Sequence, residues 1–379
     1  MKSFLKLLIG ALVGITFGFL LVGLVMAISG QSTWTEYWTK LWQSADAGFA
    51  LALVLALVWT LLSLAINLIA HEGGHLLAGL LTGYKFVSFR IGSLTLINQD
   101  GHYVWKKFQL AGTGGQCLMS PPDRPISEID TRLYNAGGIL VNLLLALAAG
   151  IPLMFIGTKG WVGGALTIFV LIALVMALGN GVPMKMSGIA NDGYNLLHLE
   201  QSRLNKQCFV GVLRINALTQ CGTPIEQLPD DLFTFEAPLS WKESIQANAL
   251  LLVVNRLEAR HDFEQAYTLL CGAKAQSGHM LPLFVTEVEL ELAFVCLVTG
   301  RKDEARGLLT EKNMKYMNQY RRTQSDKQRQ AFAAALLLDG DEAKASDLLQ
   351  ELQANREKYV QQGQVATDIA LMQYIQSCR

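Results

Sequence analysis

His71 and His75 flank Glu72 in the stretch INLIAHEGGHLLAGLL, residues 66–81, which is otherwise apolar enough to sit in lipid. Ionisable groups are costly away from water, so three of them within five residues call for a function. On a helix, positions i and i+4 share one face about one turn apart. That spacing suits two imidazoles to a single Zn²⁺ through bonds of ~2.0–2.1 Å. Glu72 sits one residue round, beside the metal rather than on the ligand face, where it can take a proton from an activated water. Ser63 and Asn67 extend the same face at spacing four. They either support the ligands or hydrogen-bond a neighbouring helix.

A catalytic zinc takes three protein ligands and keeps a fourth position open. Among acids near the apolar segments, Asp192 in IANDGYNLLHL stands out, with Gly193 beside it permitting close backbone approach. NDG also reads as a turn, with Asp192 as a helix cap. Residue chemistry alone leaves the two readings open. His198, His261 and His279 lack ligand spacing and read as ordinary surface or core residues.

The elements that must position these groups follow from composition. Net charge is zero, but residues 1–199 carry 11 Lys+Arg and 8 Asp+Glu against 20 and 23 in residues 200–379. The first part is a membrane composition and the second a soluble one, and neither has the basic-aromatic character of a nucleic-acid binder. Cys117, Cys208, Cys221, Cys271, Cys296 and Cys378 are scattered without CxxC pairs, which gives no disulfide framework or zinc ribbon and fits a reducing compartment. Leu7–Ile28 is uncharged over 22 residues, longer than the ~7–15 of a signal-peptide core, and reads as a retained anchor. Four transmembrane helices are expected, at about 7–28, 48–82, 137–157 and 161–183. Lys40 and Lys159 stand alone on one side of these spans, while Lys2, Lys6, Lys85, Arg90, Lys106 and further cations gather on the other. By the positive-inside rule both termini are cytoplasmic. Between the second and third spans, in residues 84–134, KFVSFRIGSLTLI and HYVWKKFQL around QDG predict a membrane-associated β-hairpin; a plain loop hairpin is the alternative.

Beyond about residue 205 the chain reads as a soluble helical domain running to 379. RLEARHDFEQAYTLL, LVTGRKDEARGLLTE and LLLDGDEAKASDLLQ echo one another, and aligning Ala266, Ala305 and Ala343 spaces them by 39 and 38 residues. Stacked helical hairpins are one reading, an ordinary bundle the other. Stacked hairpins loosely resemble tetratricopeptide repeats and would offer a surface for a protein partner. The expected fold class is thus mostly α: a polytopic membrane helix bundle, domain 1–200, followed by a soluble helical repeat-like domain, 205–379.

Four motifs in order make residues 1–200 resemble the site-2 protease family of intramembrane zinc metalloproteases. HEGGH resembles the family's zinc helix, FQLAGTGGQCLM its Gly-Gly segment, and NAGGILVNLLLAL its Gly-Pro-x-x-Asn helix, here Gly138 to Asn142 with Ile139 in the proline's place. NGVPMKMSGIANDG resembles the Asn-x-x-Pro…Asp-Gly motif, here Asn180, Pro183, Asp192 and Gly193, with a longer spacer than the family's. The resemblance implies one Zn²⁺ per chain held by His71, His75 and Asp192. Glu72 is then the catalytic base, and Asn142 holds the substrate backbone or the oxyanion, with Asn180 a second candidate for that work. It implies a multi-pass protein of a prokaryotic plasma (inner) membrane. The implied activity is hydrolysis of a peptide bond in a transmembrane or membrane-proximal protein substrate, in regulated intramembrane proteolysis or signal-peptide or pheromone processing. An extended substrate would pair with the strands at 86–110, Val87–Ile91 in particular. The alternative is a catalytically silent scaffold that retains membrane clients and docks partners through its helical repeats.

Overall fold

The computed structural model describes residues 33–36, 39, 47–99, 101–107, 114–186 and 189–378. The anchor helix expected at 7–28 lies outside the described residues. Among the described residues, three helices are long and apolar enough to cross a membrane, where the sequence predicts four spans: α1 (Ala47–Leu81), α2 (Arg132–Ile156) and α3 (Gly160–Gly181). At 1.5 Å per residue α1 is about 50 Å long, more than the ~30 Å of bilayer hydrocarbon, so it can cross and still carry further turns.

Two compact units divide the chain, one of Met1–Asn67 with Leu145–Leu174, the other of Leu68–Leu144 with Val175–Arg379. In the first, the Trp59 indole N–H of α1 donates to the Ala165 carbonyl of α3 at 2.7 Å. In the second, α1 and α2 touch backbone to backbone. A Cβ added at Gly74 would lie 2.3 Å from the Gly137 oxygen, and one at Gly137 the same distance from the Gly74 oxygen. Small residues allow this approach, and a glycine inside a helix, which costs about 1 kcal/mol by propensity, is repaid by the contact.

The hairpin expected in 84–134 is a four-stranded antiparallel sheet of order β3-β2-β1-β4, formed by β1 (Lys85–Ile91), β2 (Leu94–Gln99), β3 (His102–Lys107) and β4 (Gly115–Ser120). Gly92, at φ +59, opens a two-residue turn that divides the first β-rich run in two. β4 pairs with the other side of β1. Its residues, Gly, Gln, Cys, Leu, Met and Ser, have little strand propensity, so only pairing and burial make it a strand.

After α3 come a short ribbon, β5 (Lys185–Met186) and β6 (Ile189–Ala190), and α4 (Asp192–His198). Helix α5 (Arg203–Gln220) packs its Val210 and Leu213 against residues of the sheet. The remaining helices are α6 (Ser244–Ala259), α7 (Phe263–Ala275), α8 (Pro282–Val298), α9 (Lys302–Leu308), α10 (Glu311–Tyr320), α11 (Ser325–Ala333), α12 (Glu342–Ala354) and α13 (Gln362–Ser377). The three echoing segments fall on the helix–turn–helix corners α6–α7, α8–α9 and the one entering α12. At each corner the fourth residue after the helix cap is a buried alanine: Ala266, Ala305 and Ala345. Ala343, which the sequence alignment uses, is exposed. Two alanines two residues apart look alike in sequence, and only burial separates them.

One buried charge cluster ties these helices together. Arg329 of α11 reaches Asp368 of α13 at 2.8 Å, Glu291 of α8 at 2.9 Å and Glu258 of α6 at 3.1 Å, and its guanidinium lies over the Phe294 ring. Burial pushes the Asp368 carboxyl up to about 7, against the pull of Arg329. A carboxyl whose folded value exceeds its unfolded value of 3.8 holds its proton more tightly in the folded chain. Its stabilisation is therefore complete below about pH 4 and lost as pH rises through about 7. Asp368→Asn should flatten the fall in thermal stability between these limits, read as Tm of the full chain in detergent; a slope equal to wild type would refute the assignment. Arg329→Ala, which strands three buried acids, should cost about 3–5 kcal/mol.

Candidate metal centre

Helix α1 delivers both histidines to one face, with their rings edge-on at 84° and centroids 4.8 Å apart. The proton positions follow from the outer nitrogens. His75 Nδ1 lies 2.7 Å from the Tyr134 carbonyl oxygen, which only accepts, so Nδ1–H donates there. His71 Nδ1–H donates to Asn142 Oδ1 at 2.8 Å. Each imidazole therefore turns its Nε2 inward. The two Nε2 atoms stand 3.2 Å apart, and Asp192 Oδ2 lies 3.1 Å from one and 3.3 Å from the other. Asp192 Oδ2 is buried and has no hydrogen-bond partner. Two imidazole nitrogens and a carboxylate oxygen converging on one point are the donor set of a cation. The edge of a tetrahedron with metal–ligand bonds of ~2.0–2.1 Å is about 3.3 Å, so these residues fit a Zn²⁺. Among the described residues His71, His75 and Asp192 form the one such cluster.

The long spacer before Asp192 forms the β5–β6 ribbon, which goes out and returns to the end of α3. Asn191 closes it. Its Nδ2 donates to the carbonyls of Gly179 and Val182, and its Oδ1 accepts from the backbone N–H groups of Met184 and Tyr194. Asn191 is thus the N-cap of α4, and the Asp192 carboxylate is left to face the histidines. A Cβ at Gly193 would stand 2.1 Å from the Gly181 oxygen, so only glycine lets α4 lie against α3 there. Likewise a Cβ at Gly138 would meet the His71 ring at 2.4 Å, and one at Gly115 the Glu72 carboxylate at 2.6 Å.

Glu72 is buried and lines a cavity of about 460 Å³ together with His71, His75, Asp192, Asn180 and Cys117. Burial, and secondarily the Glu72 charge, pushes the Cys117 thiol far above its ordinary range, which removes it as a nucleophile. Asn142 is fully buried with its carboxamide oxygen on His71. Asn180 reaches the cavity, its Nδ2 donating to the Met176 carbonyl. Asn67 donates to the Ser63 carbonyl within α1. His198 stacks on Tyr194 and His261 on Tyr374, away from this cluster. Tyr134, whose contribution is a backbone carbonyl, and Asn191 are the contributors that motif reading passes over. A carbonyl has no residue signature, and the only trace of Asn191 is its place in NDG.

Val87–Ile91 belong to β1, which is paired on both sides and offers no edge. The edge beside Glu72 is β4, where the Cys117 carbonyl already accepts from Tyr134 Oη at 2.7 Å.

The sequence profile described as Peptidase family M50 matches residues 59–376, which takes in the metal cluster and nearly all of the C-terminal helices. No curated protein and no solved structure matches the chain. The tetratricopeptide likeness finds no support in these comparisons.

Gly138→Ala and Gly193→Ala, mild changes elsewhere, should each lower bound zinc by about tenfold or more by displacing a donor, read by metal analysis of the purified chain. Full occupancy in both would mean that the backbone yields without moving His71 or Asp192.

Proposed function

The chain belongs to peptidase family M50, the site-2 protease family, and from that premise we propose an intramembrane zinc endopeptidase that cuts a membrane-embedded or membrane-proximal protein segment. Membership itself makes the chain a membrane zinc metalloprotease. The finer reading is carried by the convergence of the three donor atoms on one point. His71, His75 and Asp192 hold the metal. A bound Zn²⁺ supplies Lewis-acid polarisation of a carbonyl and acidifies water.

The chain's own groups do the rest. Glu72, beside the ligand face and inside the cavity, takes the proton of the attacking water and passes it to the leaving amine. Asn142 and the Tyr134 carbonyl orient the imidazoles and fix their tautomers, so Asn142 is a positioning residue. Asn180, on the cavity wall, is the carboxamide available to a substrate backbone. Because helical peptide groups are already hydrogen-bonded to one another, the substrate must unwind before its carbonyl is open to attack. The Lys/Arg asymmetry of the loops supports cytoplasmic termini, and the prokaryotic inner membrane follows from the family resemblance alone.

Glu72→Gln should lower peptide hydrolysis by about 10²–10⁴-fold while zinc stays bound. Asn142→Ala should weaken zinc binding by about 10–100-fold. Cleavage that survives Glu72→Gln would overturn the role given to Glu72, and a folded chain that purifies with far less than one zinc would leave the non-catalytic scaffold as the better reading.

A further inference from the structure

Three cavities lie in series within the second compact unit. Gln116 of β4 lines the cavity beside Glu72 and also a second one, about 260 Å³, between the sheet and helices α5 and α6. The second shares Asn216, Asn248 and Gln361 with a third, about 290 Å³, that continues along α6 to α8. Each is many times larger than one water requires.

Carboxamides recur along the walls, among them Gln116, Asn216, Gln220, Asn248, Asn255 and Gln361. Asn216 and Gln220 on α5 are four apart and Asn248 and Asn255 on α6 seven apart, so each pair shares a helix face. Polar atoms in these walls are left over. Gln220, 2% exposed, accepts from Ser88 Oγ through Oε1, and its Nε2 has no partner. Thr95 Oγ1, also 2% exposed as a residue, and Asn255 Oδ1 have none either. Buried polar groups are ordinarily satisfied, so leftover donors and acceptors around one space point to a ligand that supplies them.

The charges of the third cavity are already spent. Glu287 and Asp326 pair with Lys327, and Glu291 pairs with Arg329. Arg90, the charged residue lining the second cavity, donates to the carbonyls of Gly92 and Gly115, so most of what the groove offers is neutral. A carboxamide carries one carbonyl and one N–H₂, the complement of a peptide group. Peptide groups of an extended chain recur every ~3.3 Å and can meet several such side chains in turn. β4 supplies the connection, since Cys117 lines the cavity of Glu72 while its neighbour Gln116 reaches both cavities.

We propose that this carboxamide-lined groove is a second substrate-binding site, which holds by its backbone the extended stretch of polypeptide flanking the scissile bond. The proposal rests on the peptidase reading above and assigns the C-terminal helices a part in substrate capture.

Dephosphorylated β-casein, an unfolded polypeptide, is the probe. Binding to the full-length Glu72→Gln chain in detergent is followed by fluorescence anisotropy, and cleavage by the unsubstituted chain in parallel. Asn248→Leu and Asn216→Leu should each weaken binding by about tenfold and raise KM by the same factor with kcat unchanged, while Asn248→Gln keeps both. Raising salt from about 0.05 to about 0.5 M should move Kd by less than about twofold, since no ion pair is made. No saturable binding, a Kd that follows salt, or wild-type Kd and KM in both folded leucine variants overturns the proposal. Casein cut with unchanged KM in those variants removes the groove and leaves the peptidase. Casein bound through Asn248 but never cut removes the peptidase and leaves the groove.

Discussion

Two imidazole nitrogens and a carboxylate oxygen are held within 3.3 Å of one another, a crowding that a shared cation relieves. The surrounding structure is arranged to enforce that crowding. The Tyr134 carbonyl and Asn142 hold the outer nitrogens, so that both Nε2 atoms are turned toward Asp192. Gly138 gives the His71 ring its space, Gly74 and Gly137 set the separation of α1 and α2, and Gly193 seats Asp192 against the end of α3. Removing a side chain from a helix interior weakens the helix locally. Here that weakness is accepted wherever a donor or a backbone must come closer than a Cβ allows.

Much of this was legible in the chain, in proportion to how local it is. His71, Glu72 and His75 share one helical turn, so spacing alone displays their geometry. Asp192 was legible as a candidate, but its choice between capping and coordination turns on Asn191, which takes the cap and frees the carboxylate. Gly138 and Asn142 sit in a motif that the sequence displays, yet the tie of both to His71 depends on α2 crossing α1. β4 escaped propensity because nothing in GQCLMS favours a strand except the partner it meets. The repeat register slipped because Ala343 and Ala345 differ only in which way they face.

The change in composition near residue 200 marks a change of surroundings more than a change of packing. The sheet, the ends of the apolar helices that bear the donors, and the charged C-terminal helices share one compact unit. Ser88 of β1 bonds Gln220 of α5, and Arg214 of α5 donates to the Pro122 carbonyl beyond β4. A chain read by hydropathy divides where solvent replaces lipid; the folded molecule is continuous there, and the C-terminal helices form one wall of the path that leads away from Glu72.

The order of the donors along the chain has a consequence for biogenesis. His71 and His75 leave the ribosome with the first described apolar helix, whereas Asp192 follows only after α2 and α3. During synthesis the two histidines therefore wait, and the third donor arrives only when the last apolar helix has been made. A chain stalled or misinserted before that point carries HEGGH but no closed ligand set. The donor set is therefore complete only once the whole apolar part of the chain has been made.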